Sequence, residues 1–325
     1  MTQRFRTVGI DIGGTNTKIA TLWSDGEVLQ ATQIRTQADD GPAAAMPRLI
    51  AAVETLLRES DMPVAELRTI GVDSAGIIDP QTNRVVDSPN LRKWEGFALC
   101  EALSEHFDAT VTLENDVNAM AYGEWRCGAG RGTRNMVAMT LGTGVGGGLI
   151  LDGRLYRGAH GAAAEIGHMT LDLHGEACSC PNLGCFERHL GAAWIVERAI
   201  AHIGADPRPS ALRGLPAEKL DPRSLSVAAD SGDAIAAEVL EEVGEILGFG
   251  LVSIANIFDP ERIVIGGGVA RAGKRLFKPA EAVLRQRAMS IPAQNVRLVP
   301  AELGDEAALI GASLLAIERQ GTQNP

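Results

Sequence analysis

The sequence predicts an α/β protein made of two related lobes. Two stretches, which begin at Thr7 and at Asn135, share one pattern: an apolar strand, a loop of Gly and Thr, a returning strand and an Asp-Gly turn. This pattern is typical of a β-hairpin. The chain has 325 residues, 45% hydrophobic and 22% charged, which is typical of a globular protein of about two domains. Two copies of one supersecondary unit therefore predict two similar lobes.

The first glycine loop lies in the segment DIGGTNTK and follows a strand that contains Asp11. The backbone N–H groups of Gly13 and Gly14 can approach an anion closely, and Thr15 adds a hydroxyl donor. Asp11 is placed to hold a hydrated Mg²⁺, which prefers few carboxylates together with phosphate oxygens. A tight hairpin that binds no ligand is the alternative.

The second glycine loop, LGTGVGGG, contains Thr143 and Gly144 and offers the same donors. Its glycines match the G-x-G-x-x-G pattern of dinucleotide-binding proteins, but that pattern requires a helix after the loop. The segment GLILDGRLY follows instead and predicts a hairpin, so we do not expect a nicotinamide cofactor.

A third glycine run, Gly266–Gly268, ends the predicted strand Arg262–Ile265 and leads into a helix. Ligands of α/β proteins collect beyond the carboxyl ends of strands, so this turn is a candidate seat for a nucleotide base or ribose. Close packing of strand on helix explains the same glycines equally well.

The segment VTLENDVNAMAYGEW predicts a strand, a short turn and a helix from about Val117. Asp116 stands at the helix N-terminus, where it either caps the helix or acts as a general base on a substrate hydroxyl. Asn115 and Asn90 add amides that suit hydrogen bonds to a polyol.

Three of the five cysteines crowd between Gly167 and Cys185. His168, Cys178, Cys180 and Cys185 form a set of four N and S ligands that suits a tetrahedral structural Zn²⁺. A redox pair would favour C-x-x-C, and the pair here is C-x-C. A site closed by four protein ligands has no open coordination position, so it has a structural role and no catalytic one.

Two carboxylates, Glu165 and Glu187, bracket this cluster. A metal that fixes the segment would hold both side chains in place, and His168 could bind the metal through one ring nitrogen and present the other outward. Several oriented acceptors of this kind suit a sugar.

Charge and hydropathy exclude other classes of protein. The net charge of −11 argues against a nucleic-acid binder, whose usual mark is a basic patch. The N-terminus has no signal-peptide pattern and no run is apolar enough to cross a membrane, so we expect a cytoplasmic protein without nucleic-acid or membrane partners.

The quoted motifs, together with CSCPNLGCFE, VIGGGV and LGDEAALIGAS, resemble in order the ROK family of bacterial sugar kinases and repressors. The resemblance implies an actin-like ATPase (ribonuclease H-like) fold of two α/β lobes, with sugar and ATP in the interlobe cleft. It implies a homodimer or homotetramer. The implied lobes are residues 1–114, with a C-terminal helix 305–325 that packs back on them, and residues 115–304, which carry the zinc loop.

The resemblance also assigns roles to particular residues. Asp116 becomes the catalytic base. Asn90, Asn115, Glu165, His168 and Glu187 match sugar-binding positions. ATP and Mg²⁺ are the implied cofactors, and structural Zn²⁺ is the implied metal. The cofactor positions are Asp11, Gly13, Gly14, Thr15, Thr143, Gly144, Gly266, Gly267 and Gly268.

The most direct hypothesis is an ATP-dependent glucokinase. A kinase for N-acetylmannosamine, N-acetylglucosamine, fructose or allose is the alternative. Repressors of the family carry a DNA-binding domain before the first lobe, and only six residues precede the first strand here, so we do not expect a repressor. A zinc-stabilised sugar-binding protein without catalysis would have no use for Asp116 and two phosphate loops.

Overall fold

The computed structural model describes residues 4–88 and 90–323, so residues 1–3, 89, 324 and 325 of the predicted domain ranges lie outside it. The strands are β1 (Arg6–Ile12), β2 (Asn16–Trp23), β3 (Val28–Arg35), β4 (Thr69–Ser74), β5 (Ile77–Asp79), β6 (Arg84–Asp87), β7 (Thr110–Asn115), β8 (Met136–Leu141), β9 (Val145–Leu151), β10 (Arg154–Leu155), β11 (Arg262–Gly266) and β12 (Arg297–Pro300). The helices are α1 (Pro42–Glu59), α2 (Leu99–Phe107), α3 (Asp116–Cys127), α4 (Glu187–Leu190), α5 (Ala192–Ala205), α6 (Pro222–Asp230), α7 (Ala234–Phe258), α8 (Lys274–Arg287), α9 (Ser290–Asn295) and α10 (Ala307–Gln323).

Two five-stranded sheets repeat one topology. The first has the order β3-β2-β1-β4-β7 and the second the order β10-β9-β8-β11-β12. In the first sheet β1, β2 and β3 are antiparallel neighbours, whereas β1, β4 and β7 run parallel. In the second, β9 and β10 are antiparallel and β8, β11 and β12 run parallel. The predicted repeat of a hairpin unit is therefore visible in both sheets.

The Asp-Gly turns predicted from the sequence close both hairpins. In the turn between β9 and β10, Asp152 has φ 51° and Gly153 has φ 74°. A turn with two positive φ values matches the right-handed twist of the flanking strands. In the turn between β2 and β3, Gly26 has φ 91°, and its N–H group donates to the Trp23 carbonyl at 2.8 Å.

The chain divides into two compact units. Among the described residues, the first comprises everything up to Gly132, Gly148–Ala163 and the segment from Glu302 onward; the second comprises Thr133–Gly147 and Ala164–Ala301. The first unit continues past the predicted limit at Glu114, because α3 packs against α10 within it.

The two faces of the first sheet bury different partners. One face carries Val8, Ile10, Ile70 and Val72, which belong to a core shared with α1 and α2. The opposite face packs on α10. On that face Gly71 leaves room for the helix backbone, since a Cβ atom there would lie 2.0 Å from the Ala312 carbonyl oxygen.

The second unit is built around α7, which packs against α5, α6 and α8. Asp233 caps this helix by accepting from the N–H groups of Ile235 and Ala236. The helix ends at Phe258 and is followed by Asp259, which has φ 42°. Within the described parts of the chain, no helix is both long enough and apolar enough to cross a bilayer.

Candidate active site

Asp116 is the first residue of α3, and its neighbour Asn115 is the cap. The Asn115 Oδ1 atom accepts from the N–H groups of Val117 at 2.9 Å and Asn118 at 3.0 Å. The Asp116 Oδ1 atom instead accepts from Val117 N–H and from Asn115 Nδ2, each at 3.0 Å. Of the two roles that the sequence left open for Asp116, capping therefore falls to Asn115, and the Asp116 carboxylate is held in a fixed orientation.

The surroundings of Asp116 tune its proton affinity. The pKa of its carboxyl is raised to about 6, mainly by burial; the hydrogen bond from Val117 N–H opposes the rise and the Asp11 charge adds to it. A base with such a pKa is ionised at neutral pH and still accepts a proton readily.

The Asn115 amide has no hydrogen-bonding capacity left. Besides its two accepted bonds, its Nδ2 atom donates to the Gly76 carbonyl and to Asp116 Oδ1, each at 3.0 Å. An amide has two donor hydrogens and two acceptor lone pairs, so all four are used. This geometry gives Asn115 a role in positioning Asp116, and the predicted contact of Asn115 with a sugar stays a prediction.

Asp11 lies in a row of charged residues across the first sheet. The strand register places it between Lys18 of β2 and Asp73 of β4. Its Oδ2 atom lies 3.6 Å from Lys18 Nζ. Burial, more than any other influence, raises the pKa of the Asp11 carboxyl, and Lys18 opposes the rise.

Asp73 is a residue that the sequence analysis missed. Its side chain is fully buried, and no hydrogen-bond partner is found among the described residues for either oxygen. Burial, followed by the charges of Asp11 and Asp116, raises the pKa of this carboxyl well above its usual range. The one charged residue of the strand TIGVDS was the available signal.

These carboxylates fit a divalent cation. Asp73 has two buried oxygens without partners, and the neighbouring Asp11 side chain is 23% exposed. Mg²⁺ takes one or two carboxylates and completes its shell with water and phosphate oxygens. The donor set beside the first glycine loop is of that type.

The first glycine loop is held by Thr36. The Thr36 hydroxyl donates to the Gly13 carbonyl at 2.6 Å, and its N–H group donates to the Thr15 carbonyl at 3.0 Å. Asn90 lies against this loop, since a Cβ atom on Gly14 would lie 3.2 Å from the Asn90 Cβ atom. The structure therefore brings the predicted residue Asn90 to the predicted phosphate loop.

In the second unit, the second glycine loop contacts Glu187. The Val145 N–H group, directly after the loop, donates to Glu187 Oε2 at 2.9 Å. Glu187 also lies near Glu165, because its charge contributes to raising the pKa of the Glu165 carboxyl, after the larger effect of burial. Two predicted sugar-binding carboxylates and one predicted phosphate loop are thus neighbours.

His168 has the two-sided environment that the sequence predicted. Its Nδ1 atom lies 3.7 Å from Cys178 Sγ, and its Nε2 atom lies 4.0 Å from Glu165 Oε2.

The four predicted metal ligands converge. The ligand atoms of His168, Cys178, Cys180 and Cys185 all lie within 4.8 Å of one another. Cys180 Sγ and Cys185 Sγ are 3.6 Å apart, and both thiols are free. Sulfur ligands about 2.3 Å from one tetrahedral ion lie roughly 3.8 Å apart, so the spacing fits Zn²⁺.

Close packing accounts for one glycine of the third run, and the predicted nucleotide contact stays a prediction. Gly267 has φ 89°, and a Cβ atom there would lie 2.3 Å from the Leu141 carbonyl oxygen of β8, so close packing explains it. Gly268 is exposed, and an added Cβ would meet nothing within 4 Å. Gly266, in contrast, is buried at the end of β11, opposite Thr140.

Comparison with known proteins identifies the family of this chain. The model of the ROK family matches residues 7–319, nearly the whole chain. The chain belongs to the ROK family. The resemblance drawn from the motifs is thereby confirmed.

Within the ROK family, the chain is similar to enzymes and to regulators. It is 35% identical to a glucokinase of Halalkalibacterium halodurans over 97% of this chain and 96% of the relative. It is 27% identical to a xylose repressor of Caldicellulosiruptor bescii, of which it covers 77%.

A solved ROK structure has the same fold. The glucokinase of Streptomyces griseus, solved with glucose and AMPPNP, matches with a TM-score of 0.81 and 31% identity over 96% of this chain and 99% of the other. The predicted actin-like ATPase fold is confirmed.

Proposed function

We propose that this protein is an ATP-dependent glucokinase that converts glucose to glucose 6-phosphate. The observation that carries the proposal is Asp116, a carboxylate fixed at the start of α3 with its pKa raised to about 6. Similarity to a glucokinase along nearly the full length of both chains supports it.

Asp116 acts as the general base. It accepts the proton of the sugar hydroxyl as that oxygen forms its bond to the γ-phosphorus of ATP. The bond between this phosphorus and the bridging oxygen breaks, ADP leaves, and Asp116 returns the proton to water. Asn115 keeps the base oriented through its bond to Asp116 Oδ1.

The other polar residues bind the two substrates. Asn90, Glu165, His168 and Glu187 offer acceptors and donors for sugar hydroxyls. The two glycine loops, Gly13–Thr15 and Gly142–Gly144, present N–H groups to phosphate oxygens. The exposed turn at Gly267–Gly268 suits the adenosine part of ATP.

Two metals complete the proposal. Asp11, with Asp73 beside it, would hold Mg²⁺, which when bound would supply positive charge to the phosphates. His168 and the three clustered cysteines hold one structural Zn²⁺. Free thiols and the need for ATP support a cytoplasmic location, and we expect the enzyme to form a homodimer or homotetramer.

A coupled ADP-release assay tests this function. Zinc-loaded protein is given Mg-ATP with glucose, mannose, fructose, allose, N-acetylglucosamine or N-acetylmannosamine. We expect glucose to give the highest kcat/KM. A higher kcat/KM for another sugar would reassign the substrate, and no ADP release with any of the sugars would reject the proposed kinase activity.

A further inference from the structure

The second glycine loop is bonded directly to the segment that follows the metal cluster. Val145 N–H donates to the Glu187 side chain at 2.9 Å, and Ala192 N–H donates to the Gly142 carbonyl at 2.9 Å. One bond therefore lies at each end of the loop. Because Gly142 N–H also donates to the Gly144 carbonyl at 2.9 Å, the loop is closed on itself between these anchors.

Gly144 and Glu187 are in closest contact. A Cβ atom on Gly144 would lie 2.2 Å from Glu187 Oε2 and 3.0 Å from its Cδ. The three atoms nearest to that Cβ position all belong to Glu187, and Gly144 has no positive φ that would by itself require glycine. The carboxylate is thus the reason that position 144 has no room for a side chain.

Glu187 is anchored from the other side. Cys185, a predicted metal ligand, and Phe186 precede it, and both are fully buried. The Phe186 ring packs on α7, where a Cβ on Gly250 would lie 2.1 Å from the ring Cζ atom. The start of α4 is therefore held in place, and this keeps the Glu187 side chain next to the glycine loop.

We infer that Glu187 couples the sugar site to the nucleotide site, by binding a sugar hydroxyl with one carboxylate oxygen and the second phosphate loop with the other. This inference rests on the proposed function, which places sugar at Glu187 and phosphate at Gly142–Gly144. Glu165, the other proposed sugar carboxylate, makes no hydrogen bond to the loop within the described part of the chain.

The physical basis is shared ordering. A sugar hydroxyl on Oε1 restricts rotation of the carboxylate and so fixes the Val145 N–H group and the adjoining loop. A loop that is already ordered loses less conformational entropy when it binds phosphate, which gives positive coupling between the two ligands. Linkage makes the effect reciprocal: nucleotide on the loop must strengthen sugar binding equally.

The first test changes the second glycine loop and measures the affinity for glucose. Isothermal titration of zinc-loaded protein with glucose, without nucleotide, compares Gly144→Ala with Gly142→Ala. The methyl group that Gly144→Ala adds displaces the Glu187 carboxylate, so we expect the glucose Kd to rise about fivefold or more. Fivefold is about the lower end of the usual range of coupling between two binding sites. A Cβ on Gly142 meets nothing within 4 Å, so its Kd should stay within about twofold of wild type.

The second test changes the two proposed sugar-binding carboxylates and measures the affinity for the nucleotide. Binding of AMP-PNP with Mg²⁺, without sugar, compares Glu187→Ala with Glu165→Ala. We expect weaker nucleotide binding only for Glu187→Ala, which loses the Val145 bond. Zinc content and melting temperature verify that each variant is folded.

The outcomes separate the two proposals. Equal glucose affinity of the two glycine variants, or equal nucleotide affinity of the two glutamate variants, would overturn the coupling and leave the kinase intact. If wild-type protein binds no glucose, the proposed substrate fails, and the nucleotide comparison still decides whether Glu187 supports the loop.

Discussion

A carboxylate becomes a useful base at neutral pH when its surroundings raise its pKa without neutralising it. Asp116 meets this condition because its pKa is raised to about 6, mainly by burial, while hydrogen bonds from Val117 N–H and Asn115 Nδ2 stabilise its ionised form. Asp73 shows the other extreme, a fully buried carboxylate with no partner among the described residues. The same residue type therefore has two different environments a few strands apart.

Replacing Asp116 with Asn should lower kcat by about 10²- to 10⁴-fold, the usual share of general-base catalysis. Glucose affinity should change little, and the exposed Glu105→Gln serves as a control. Since the raised pKa means that ionised Asp116 disfavours folding, the variant should melt at pH 8 no lower than wild type. Near-normal turnover would remove Asp116 as the base.

The pH profile gives an independent check on the same residue. Only the ionised carboxylate accepts a proton, so wild-type kcat/KM should fall as the pH drops through about 6, the pKa of Asp116. A profile that stays flat down to pH 4.5 would contradict the assignment.

Replacing Asp73 with Asn should stabilise the protein in magnesium-free buffer at pH 7.5. The amide carries no charge and can donate to Asp11, so the free energy of unfolding should rise by about 1–3 kcal/mol. Urea denaturation with and without Mg²⁺ measures this, and added Mg²⁺ should narrow the difference. A destabilised variant would mean that Asp73 has a partner in solution.

At the scale of elements, the segment between Ile166 and Glu187 has little regular structure to hold it. It contains one turn of 3-10 helix, Ile166–His168, and two isolated bridges, Thr170 with Cys185 and Ala177 with Leu183. A metal bound by four side chains would supply the missing constraint.

Replacing Cys180 with Ala should therefore lower zinc content well below one ion per chain and raise the KM for glucose, because Glu165 and Glu187 flank the segment. Cys127→Ser is the matched control, since this thiol is also partly exposed and lies outside the cluster. Metal analysis with the coupled assay decides the point. A variant with an unchanged KM would show that the metal does not order these carboxylates.

At the scale of the whole molecule, the first unit is discontinuous in sequence, and α10 completes it. The helix packs on α3 and on the face of the first sheet that carries Asp11 and Asp73. Glycines make this close approach possible: a Cβ on Gly311 would lie 1.7 Å from the Ala119 carbonyl oxygen of α3.

Replacing Gly311 with Ala should destabilise the protein by about 1–3 kcal/mol, as overpacking usually does. Gly321→Ala lies on the same helix, where the added Cβ meets nothing within 4 Å, and should be neutral or slightly stabilising. Thermal melts in zinc-containing buffer compare the two. Equal melting temperatures would mean that the α3–α10 contact relaxes without penalty.

The sequence by itself determined the features that depend on local chemistry. Asp-Gly turns, glycine loops after apolar strands and the Cys/His spacing are encoded within short segments, so the hairpin repeat, the family and the converging metal ligands were all predictable. The capping of α3 by Asn115 is equally local, yet two adjacent polar residues competed for it, and only the backbone geometry showed which one caps.

Only the tertiary structure decided which distant residues meet. The pairing of β1 with β4 places Asp73 beside Asp11, and the start of α4 places Glu187 against Gly144. Such contacts follow from strand order and packing, which bring together residues about 40 to 60 positions apart and leave no mark on either segment alone. For this reason the raised pKa of Asp73 and the contact between Glu187 and the second glycine loop emerged only once the fold was known.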